Sequence, residues 1–479
     1  MEDYAGLVQR SNGNQAQVLV ESEELEIGSI LRIKEYFGIV SAMFYSEDEA
    51  LGSNQRLIAE THLFGQMRGG RRRGVKKPAA PYSKAYFAGE RDLEKLGDYV
   101  DSISVGRIKG AEARARLNAS QYDRHIAVLA STGAGKSYAC ANLVAEFNGL
   151  GLPVLIVDTH GEYSRLLEVR REDIKTEVYT VRHERQGFKK FTIPVSNLSC
   201  SDYSHFINLN DNQLHALELV LNKTYSRYGE NYSLENVIRV CEEVAEDAGK
   251  SSKTVHEETA NALQRRLKAL KRIYKEVFTV DGTDINRLIT PHNVTIIDTS
   301  LATQAIRRSV VSYLSKKILE GRINKKHQLQ GDRIDYPVLV LIEEAHNYAG
   351  SKVSHSCKKQ LQQVAAEGRK FGVGLMVVSQ KPSKIDEEIL SQCNSGVYMH
   401  ITNPSDKIHI KNSFECISED IIQGLDSLDV GEAIIAGALI DLPYLICRID
   451  EIKLKQNKKS KFNFKKPEKI VQGKSTEYI

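Results

Sequence analysis

Five short runs, His125–Ala130, Pro153–Asp158, Val294–Asp298, Val338–Ile342 and Gly374–Ser379, are apolar almost without interruption, and each has the length of one strand. A strand with one face in water would alternate apolar and polar side chains. Runs without alternation fit strands buried on both faces, as in a parallel sheet covered by helices. Helix-length segments separate the runs, so the expected class is α/β. At 479 residues the chain exceeds one ordinary domain.

The first run leads into the most specific local pattern, Ala130-Ser-Thr-Gly-Ala-Gly-Lys-Ser137, and a helical segment, Tyr138–Phe147, follows. Strand, glycine-rich turn and helix in that order form a phosphate-binding loop. Gly133 and Gly135 let the backbone curl so that successive N–H groups point at phosphate oxygens, and the following helix adds its positive end. Lys136 supplies a mobile charge for β- and γ-phosphates, and the Ser137 hydroxyl is placed to ligate Mg²⁺. Thr132, Gly133, Ala134, Gly135, Lys136, Ser137 and Tyr138 are therefore the expected nucleotide contacts, with ATP and Mg²⁺ as ligand and cofactor. The pattern usually starts with glycine; here Ala130 stands in that place.

Val338–Ile342 ends in Glu343-Glu344. Two carboxylates at the end of a buried strand, downstream of a phosphate loop, imply hydrolysis. Glu343 is the expected Mg²⁺ ligand, and Glu344 the group that orients and deprotonates water. Most such motifs carry Asp at the first position. Gly374–Ser379 runs into Gln380, an amide placed to sense the γ-phosphate or the attacking water. In Glu367-Gly-Arg-Lys-Phe-Gly372, Arg369 is the candidate arginine finger, and Arg124, just before the first run, is a second candidate. Arg369 can equally be a surface arginine at a helix end, where the helix dipole favours it.

Elsewhere the chain is less specific. Residues 1–115 read as a small barrel of short strands, with segments at Gln15–Val20, Ile30–Ile33, Phe37–Ser41 and Ser102–Gly106. Arg68–Pro78 is rich in Gly and positive charge and reads as a flexible loop, either a solvated hairpin tip or an arm for DNA. Residues 206–284 read as a helical insertion in an α/β core of residues 116–205 and 285–450. There Leu263, Leu267, Leu270 and Tyr274 recur at helical spacing opposite a basic face, taken as solvated. Residues 451–479 read as a basic extended tail. The net charge of +4 is too small to argue for nucleic acid by itself. The seven cysteines form no Cys-x-x-Cys pair, the apolar runs are too short to span a membrane, and the first residues lack signal-peptide character. A reducing cytoplasm and no membrane association are expected.

Taken together, Arg124–Leu129, Ser131–Ser137, Asp158-Thr-His-Gly-Glu-Tyr163, Glu343-Glu-Ala-His-Asn-Tyr348, Glu367–Gly372 and Ser379-Gln-Lys-Pro382 resemble the HerA branch of the HerA/FtsK motors. Asp158–Tyr163 is the most discriminating, because generic phosphate-loop enzymes lack it. The resemblance covers nearly the whole chain. It implies a RecA-like core of the additional-strand class and a homohexameric ring around double-stranded DNA, with ATP between subunits. Lys136, Ser137, Glu343, Glu344 and Gln380 would act in cis, and Arg369, with Arg124 as second candidate, would reach in from a neighbour. It also implies a NurA-like nuclease partner or, as in bacterial relatives, an effector in anti-phage defence. Channel candidates are Lys352, Lys358, Lys359, Lys381 and Lys384. A two-lobed strand-separating helicase would need a second nucleotide-facing lobe, and only about a hundred residues follow Gln380.

Overall fold

The computed structural model describes residues 3–47, 55–68, 71–168, 174–250, 255–351, 356–415 and 417–451. Lys352 and the basic tail from 452 onward lie outside them. The first seven strands are β1 (Tyr4–Asn12), β2 (Gln15–Val20), β3 (Ile30–Ile33), β4 (Tyr36–Glu47), β5 (Gln55–Arg68), β6 (Arg71–Arg73) and β7 (Lys84–Phe87). They run in the order β2-β1-β7-β3-β4-β5-β6, and an extra β2–β5 pairing closes all but β6 into a barrel. Closure removes the sheet edges that would otherwise expose unpaired N–H and C=O groups. Val8, Val18, Leu31, Ile33, Val40 and Leu63 fill the interior. Arg68–Pro78 is not all loop: β6 pairs back on β5 through Gln66↔Arg73, Met67↔Arg72 and Arg68↔Arg71, a hairpin held by ladder hydrogen bonds.

The later strands are β8 (Ser102–Ile108), β9 (Arg114–Asn118), β10 (Ile126–Leu129), β11 (Val154–Asp158), β12 (Lys175–Thr180), β13 (Lys189–Lys190), β14 (Ile193–Pro194), β15 (Phe278–Thr279), β16 (Asn293–Asp298), β17 (Val338–Ile342), β18 (Val373–Ser379), β19 (Ser395–Tyr398), β20 (Glu432–Gly437) and β21 (Tyr444–Ile449). All but β14 and β15 form one 12-stranded sheet, β13-β12-β16-β11-β17-β18-β10-β19-β20-β21-β8-β9. The ladder is parallel from β13 to β19 and antiparallel beyond. The five apolar runs are the five adjacent strands β16-β11-β17-β18-β10, buried on both faces.

One assignment changes. The strand at Ser102, grouped from sequence with the N-terminal barrel, pairs with β21 in the large sheet, and β9 runs across residue 115. Its partner is more than three hundred residues away, so no local pattern could reveal it. Arg114 reinforces the junction with a two-pronged contact to Asp450, at 2.9 and 2.5 Å.

The insertion folds as helices Asp211–Tyr228, Leu234–Lys250 and Glu257–Tyr274. Asn210 and Gln213 cap the first reciprocally. Ala260, Leu263, Leu267, Leu270 and Tyr274 form the buried stripe of the last. Part of its basic face is neutralised within the bundle, by Lys268–Glu242 and Lys271–Glu235, both at 2.9 Å. The short parallel pair β14–β15 closes the base. Just before the insertion, a fully buried carboxylate, Asp202, ties the helix Cys200–Tyr203 to the long helix Gln304–His327 through Lys316 (2.5 Å) and Lys317 (3.3 Å).

His125, at the entry to β10, is locked in its neutral form. Its Nδ1 accepts from Leu375 N–H (3.0 Å), so Nε2 donates to the Ala365 carbonyl (2.9 Å). Burial, aided by the nearby Arg369 charge, pushes its pKa down to about 4. In the unfolded chain the ring takes a proton near pH 6.5, so stability is lost as pH falls from about 6.5 towards 4, by roughly 3 kcal/mol from this group. Urea unfolding at pH 7.5, 6 and 5 should show that loss, and His125→Asn should flatten it while lowering stability at pH 7.5. An unchanged pH slope in the variant would remove His125 from the account.

Candidate active site

In the sheet, β18 lies between the phosphate-loop strand β10 and the acidic strand β17. The ends of these strands and of β11 meet at one edge: Leu129 is level with Ser379, Ile342 with Val377, and Val157 with Ile342. That edge carries the phosphate loop, Gln380, Glu343-Glu344 and Asp158, the usual place for a ligand in an open α/β sheet.

Gly133 and Gly135 have φ of +83° and +95°. A Cβ on Gly135 would make only ordinary contacts, 3.5 Å to Met399 and 3.6 Å to Gly431, so the positive φ and not lack of space calls for glycine there. Ala130 is fully buried, is not in the positive-φ region, and donates its N–H to the Ser379 carbonyl at 3.2 Å. Alanine at the start of the pattern therefore carries no backbone strain. The helix Lys136–Gly149 starts directly from the loop, with Ser137 half-buried and Tyr138 exposed at its mouth.

The acid, the amide and the lysine meet in one network. Lys136 Nζ is 3.0 Å from Glu344 Oε1, and both side chains are almost wholly buried. Gln380 Nε2 donates to the same oxygen at 2.6 Å, while Thr132 Oγ1 donates to Gln380 Oε1 at 2.6 Å, fixing the amide's orientation. Glu344 Oε2 has no hydrogen-bond partner among the described residues. His346 Nδ1 approaches it to 3.3 Å without the geometry of a hydrogen bond. Glu344 itself adopts φ +49°, uncommon for a side chain with a Cβ.

Glu343 turns the other way. Its Oε2 accepts from the N–H groups of Thr159 (2.8 Å) and His160 (3.2 Å). Burial first, and then the neighbouring Asp158 charge, push its pKa up to about 8. Burial also raises Asp158, although that carboxylate accepts from Gly161 N–H (2.7 Å), His160 N–H (3.2 Å) and Tyr163 N–H (3.0 Å). These bonds give Asp158–Tyr163 a physical role: the motif is a turn wound around a buried carboxylate and seated against Glu343. Its His160 ring, half exposed, places Nε2 3.8 Å from Glu344 Oε1.

Neither arginine is at this edge. Arg124 ends the 3₁₀ turn that leads into β10, and Arg369 lies in the turn before β18. Both are therefore at the opposite ends of parallel strands whose far ends hold the network, and the seven residues of β18 span roughly 20 Å. They share the neighbourhood of Asp123, whose carboxyl burial raises and the two guanidinium groups pull back down. Arg369 is exposed and Arg124 half-buried.

The lysine candidates divide. Lys358 is tied to Asp386 at 2.6 Å and donates to the Ser351 carbonyl, so it joins two segments of the fold. Lys359, Lys381 and Lys384 are exposed. No local pattern assigns a separate part to His160, His346 or Ser379; their places beside Glu344 depend on strand order.

The fold and this edge define a phosphate-loop ATPase with an additional strand between the lysine-bearing loop and the acidic strand. A family model described as Helicase HerA, central domain, matches residues 103–318. The DNA double-strand break repair helicase HerA of Sulfurisphaera tokodaii is 30% identical over 73% of this chain and 69% of that protein. The protein of the same name from Saccharolobus solfataricus is 28% identical over 75% and 71%. The chain belongs to the HerA helicase family. Among solved structures, the plasmid coupling protein TrwB in complex with ADP and Mg²⁺ superposes with a TM-score of 0.52 at 13% identity, covering 78% of this chain and 94% of that one, a likeness of fold.

If Thr132 serves to orient Gln380, Thr132→Val should lower kcat for ATP hydrolysis by about tenfold, the worth of one lost hydrogen bond, with KM little changed. A change in KM alone would make Thr132 a binding residue and not an orienting one.

Proposed function

We propose that this chain is an ATP-driven translocase on double-stranded DNA, working as a homohexameric ring with a nuclease partner in the processing of broken DNA ends. Membership of the HerA family and the names of the relatives support the DNA and repair parts of this reading. The ring rests chiefly on one observation: the exposed Arg369 and its companion Arg124 lie at the sheet edge opposite the Lys136–Glu344–Gln380 network. Within one subunit they cannot reach that network. In a closed ring a neighbour's arginine edge would face it, which makes hydrolysis depend on assembly.

On this reading the loop N–H groups and Lys136 hold the β- and γ-phosphates. Ser137 and Glu343 offer a hydroxyl and a strand-end carboxyl, a donor set that fits Mg²⁺. The ion, when bound, neutralises charge on the phosphates. Lys136 cannot pair fully with Glu344 and with phosphate at once, so nucleotide draws it off the carboxylate. Glu344, freed on Oε1 and unpartnered on Oε2, then orients the attacking water and accepts its proton, while Gln380 holds the water or the γ-phosphate from the adjacent strand. A neighbour's Arg369 stabilises the charge on the transferring group. Lys359, Lys381 and Lys384 are the remaining described candidates for phosphate contacts in the channel, without base readout.

Steady-state ATP hydrolysis with and without linear duplex DNA tests this. Duplex should stimulate turnover. Glu344→Gln should bind ATP but lose at least about a hundredfold in kcat. Arg369→Ala should be silent alone, and mixing the two variants should restore part of the activity at interfaces that combine an intact glutamate with an intact arginine. If duplex leaves turnover unchanged, the chain is better read as a ring that regulates a partner effector. Full activity in Arg369→Ala would remove the finger.

A further inference from the structure

Two segments beside the network are fastened to each other. After the acidic pair the chain makes a 3₁₀ turn, Ala345–Asn347, and after Gln380 another, Pro382–Lys384. Gly350 and Ile385 form an isolated antiparallel bridge. Ser351 N–H donates to the Lys384 carbonyl (3.0 Å), and Asp386 N–H to the Ala349 carbonyl (2.8 Å). Lys358, on the helix Ser356–Glu367, bridges the two by pairing with Asp386 at 2.6 Å and donating to the Ser351 carbonyl at 3.3 Å. The two turns are therefore tied to each other at several points.

The second turn and its approach carry the exposed Lys381 and Lys384; the first carries His346. Between the two lies Ser379, fully buried at the end of β18. Its Oγ accepts from Lys381 N–H at 3.0 Å and sits 3.1 Å from His346 Nδ1, so its hydroxyl proton is available to the ring. The same Nδ1 is 3.3 Å from Glu344 Oε2, the buried oxygen without a hydrogen-bond partner among the described residues. A continuous chain of contacts thus runs from the backbone of an exposed lysine, through a serine and a histidine, to the free oxygen of the glutamate.

We propose that His346 and Ser379 are positioning residues that report duplex DNA on Lys381 and Lys384 to Glu344. This rests on the DNA-driven reading above and specifies its regulation. The position of the Lys381 backbone sets the Ser379 hydroxyl, Ser379 sets the His346 ring, and the ring, 3.3 Å from Glu344 Oε2, turns the carboxylate only when duplex shifts this chain of contacts; without duplex Lys136 and Gln380 hold Glu344 through Oε1. A phosphate backbone drawn against Lys381 and Lys384 moves the first member, and the shift reaches the last without a change in the phosphate loop.

The test compares ATP turnover with and without linear duplex for the wild type, His346→Ala, Ser379→Ala and His346→Asn, whose amide oxygen can stand in for Nδ1. Anisotropy of a labelled duplex measures DNA affinity alongside. For His346→Ala and Ser379→Ala the stimulation by duplex should fall by about tenfold, the scale of one lost hydrogen bond at the transition state. Basal rate, KM for ATP and duplex affinity should stay close to wild type, and His346→Asn should recover part of the stimulation. Wild-type stimulation in both truncations would overturn the proposal, as would a parallel fall of basal and stimulated rates. A wild-type protein indifferent to duplex would instead overturn the DNA reading on which the proposal rests. The two failures are read from different samples.

Discussion

The buried pair of Lys136 and Glu344 is the contact around which the site is organised. Two opposite charges removed from water are costly unless further hydrogen bonds satisfy them. Here the satisfaction is one-sided: Oε1 of Glu344 receives Lys136 and Gln380, and Oε2 receives no hydrogen bond among the described residues. A glutamate so placed is restrained but not fully paired, and its lysine has a stronger partner available in a triphosphate. Strand β18 makes this possible: it lies between β10 and β17 and brings the Gln380 amide between the loop and the acid.

The same parallel sheet separates chemistry by edge. Its carboxyl ends gather the phosphate loop, two glutamates, Asp158 and Gln380; its amino ends carry Arg124 and Arg369. Strand direction alone keeps the two sets apart within a subunit. Polar fasteners tie parts of this frame together, Arg114 of β9 with Asp450 after β21, and Asp202, just before the helical insertion, with Lys316 and Lys317 of the long helix.

How much of this was legible in the sequence follows from which forces act locally. The five core strands could be read because burial on both faces writes a continuous apolar run, and the helix Glu257–Tyr274 because its buried stripe recurs with the helical period. In the barrel, β1, β5 and β7 leave no clear local signal; β1 mixes Gly6 and a polar end, Gln9–Asn12, into its pattern, and closure depends on a β2–β5 pairing that sequence spacing does not show. The phosphate loop, Glu343-Glu344 and Gln380 could be singled out because each follows a recognisable strand, whereas Arg124 and Arg369 precede theirs. Their contacts could not. That Glu343 faces Thr159 while Glu344 faces Lys136, that Lys358 is held by Asp386, and that His346 lies against Ser379 all depend on strand order and backbone angles such as the φ of +49° at Glu344.

The most direct test of the central claim is a structure of the protein with a non-hydrolysable ATP analogue and Mg²⁺. Lys136 Nζ should leave Glu344 Oε1 for phosphate oxygens, and the carboxylate should turn towards a water in line with the γ-phosphate. A nucleotide bound in the loop with the Lys136–Glu344 pair still closed at its 3.0 Å separation would contradict it.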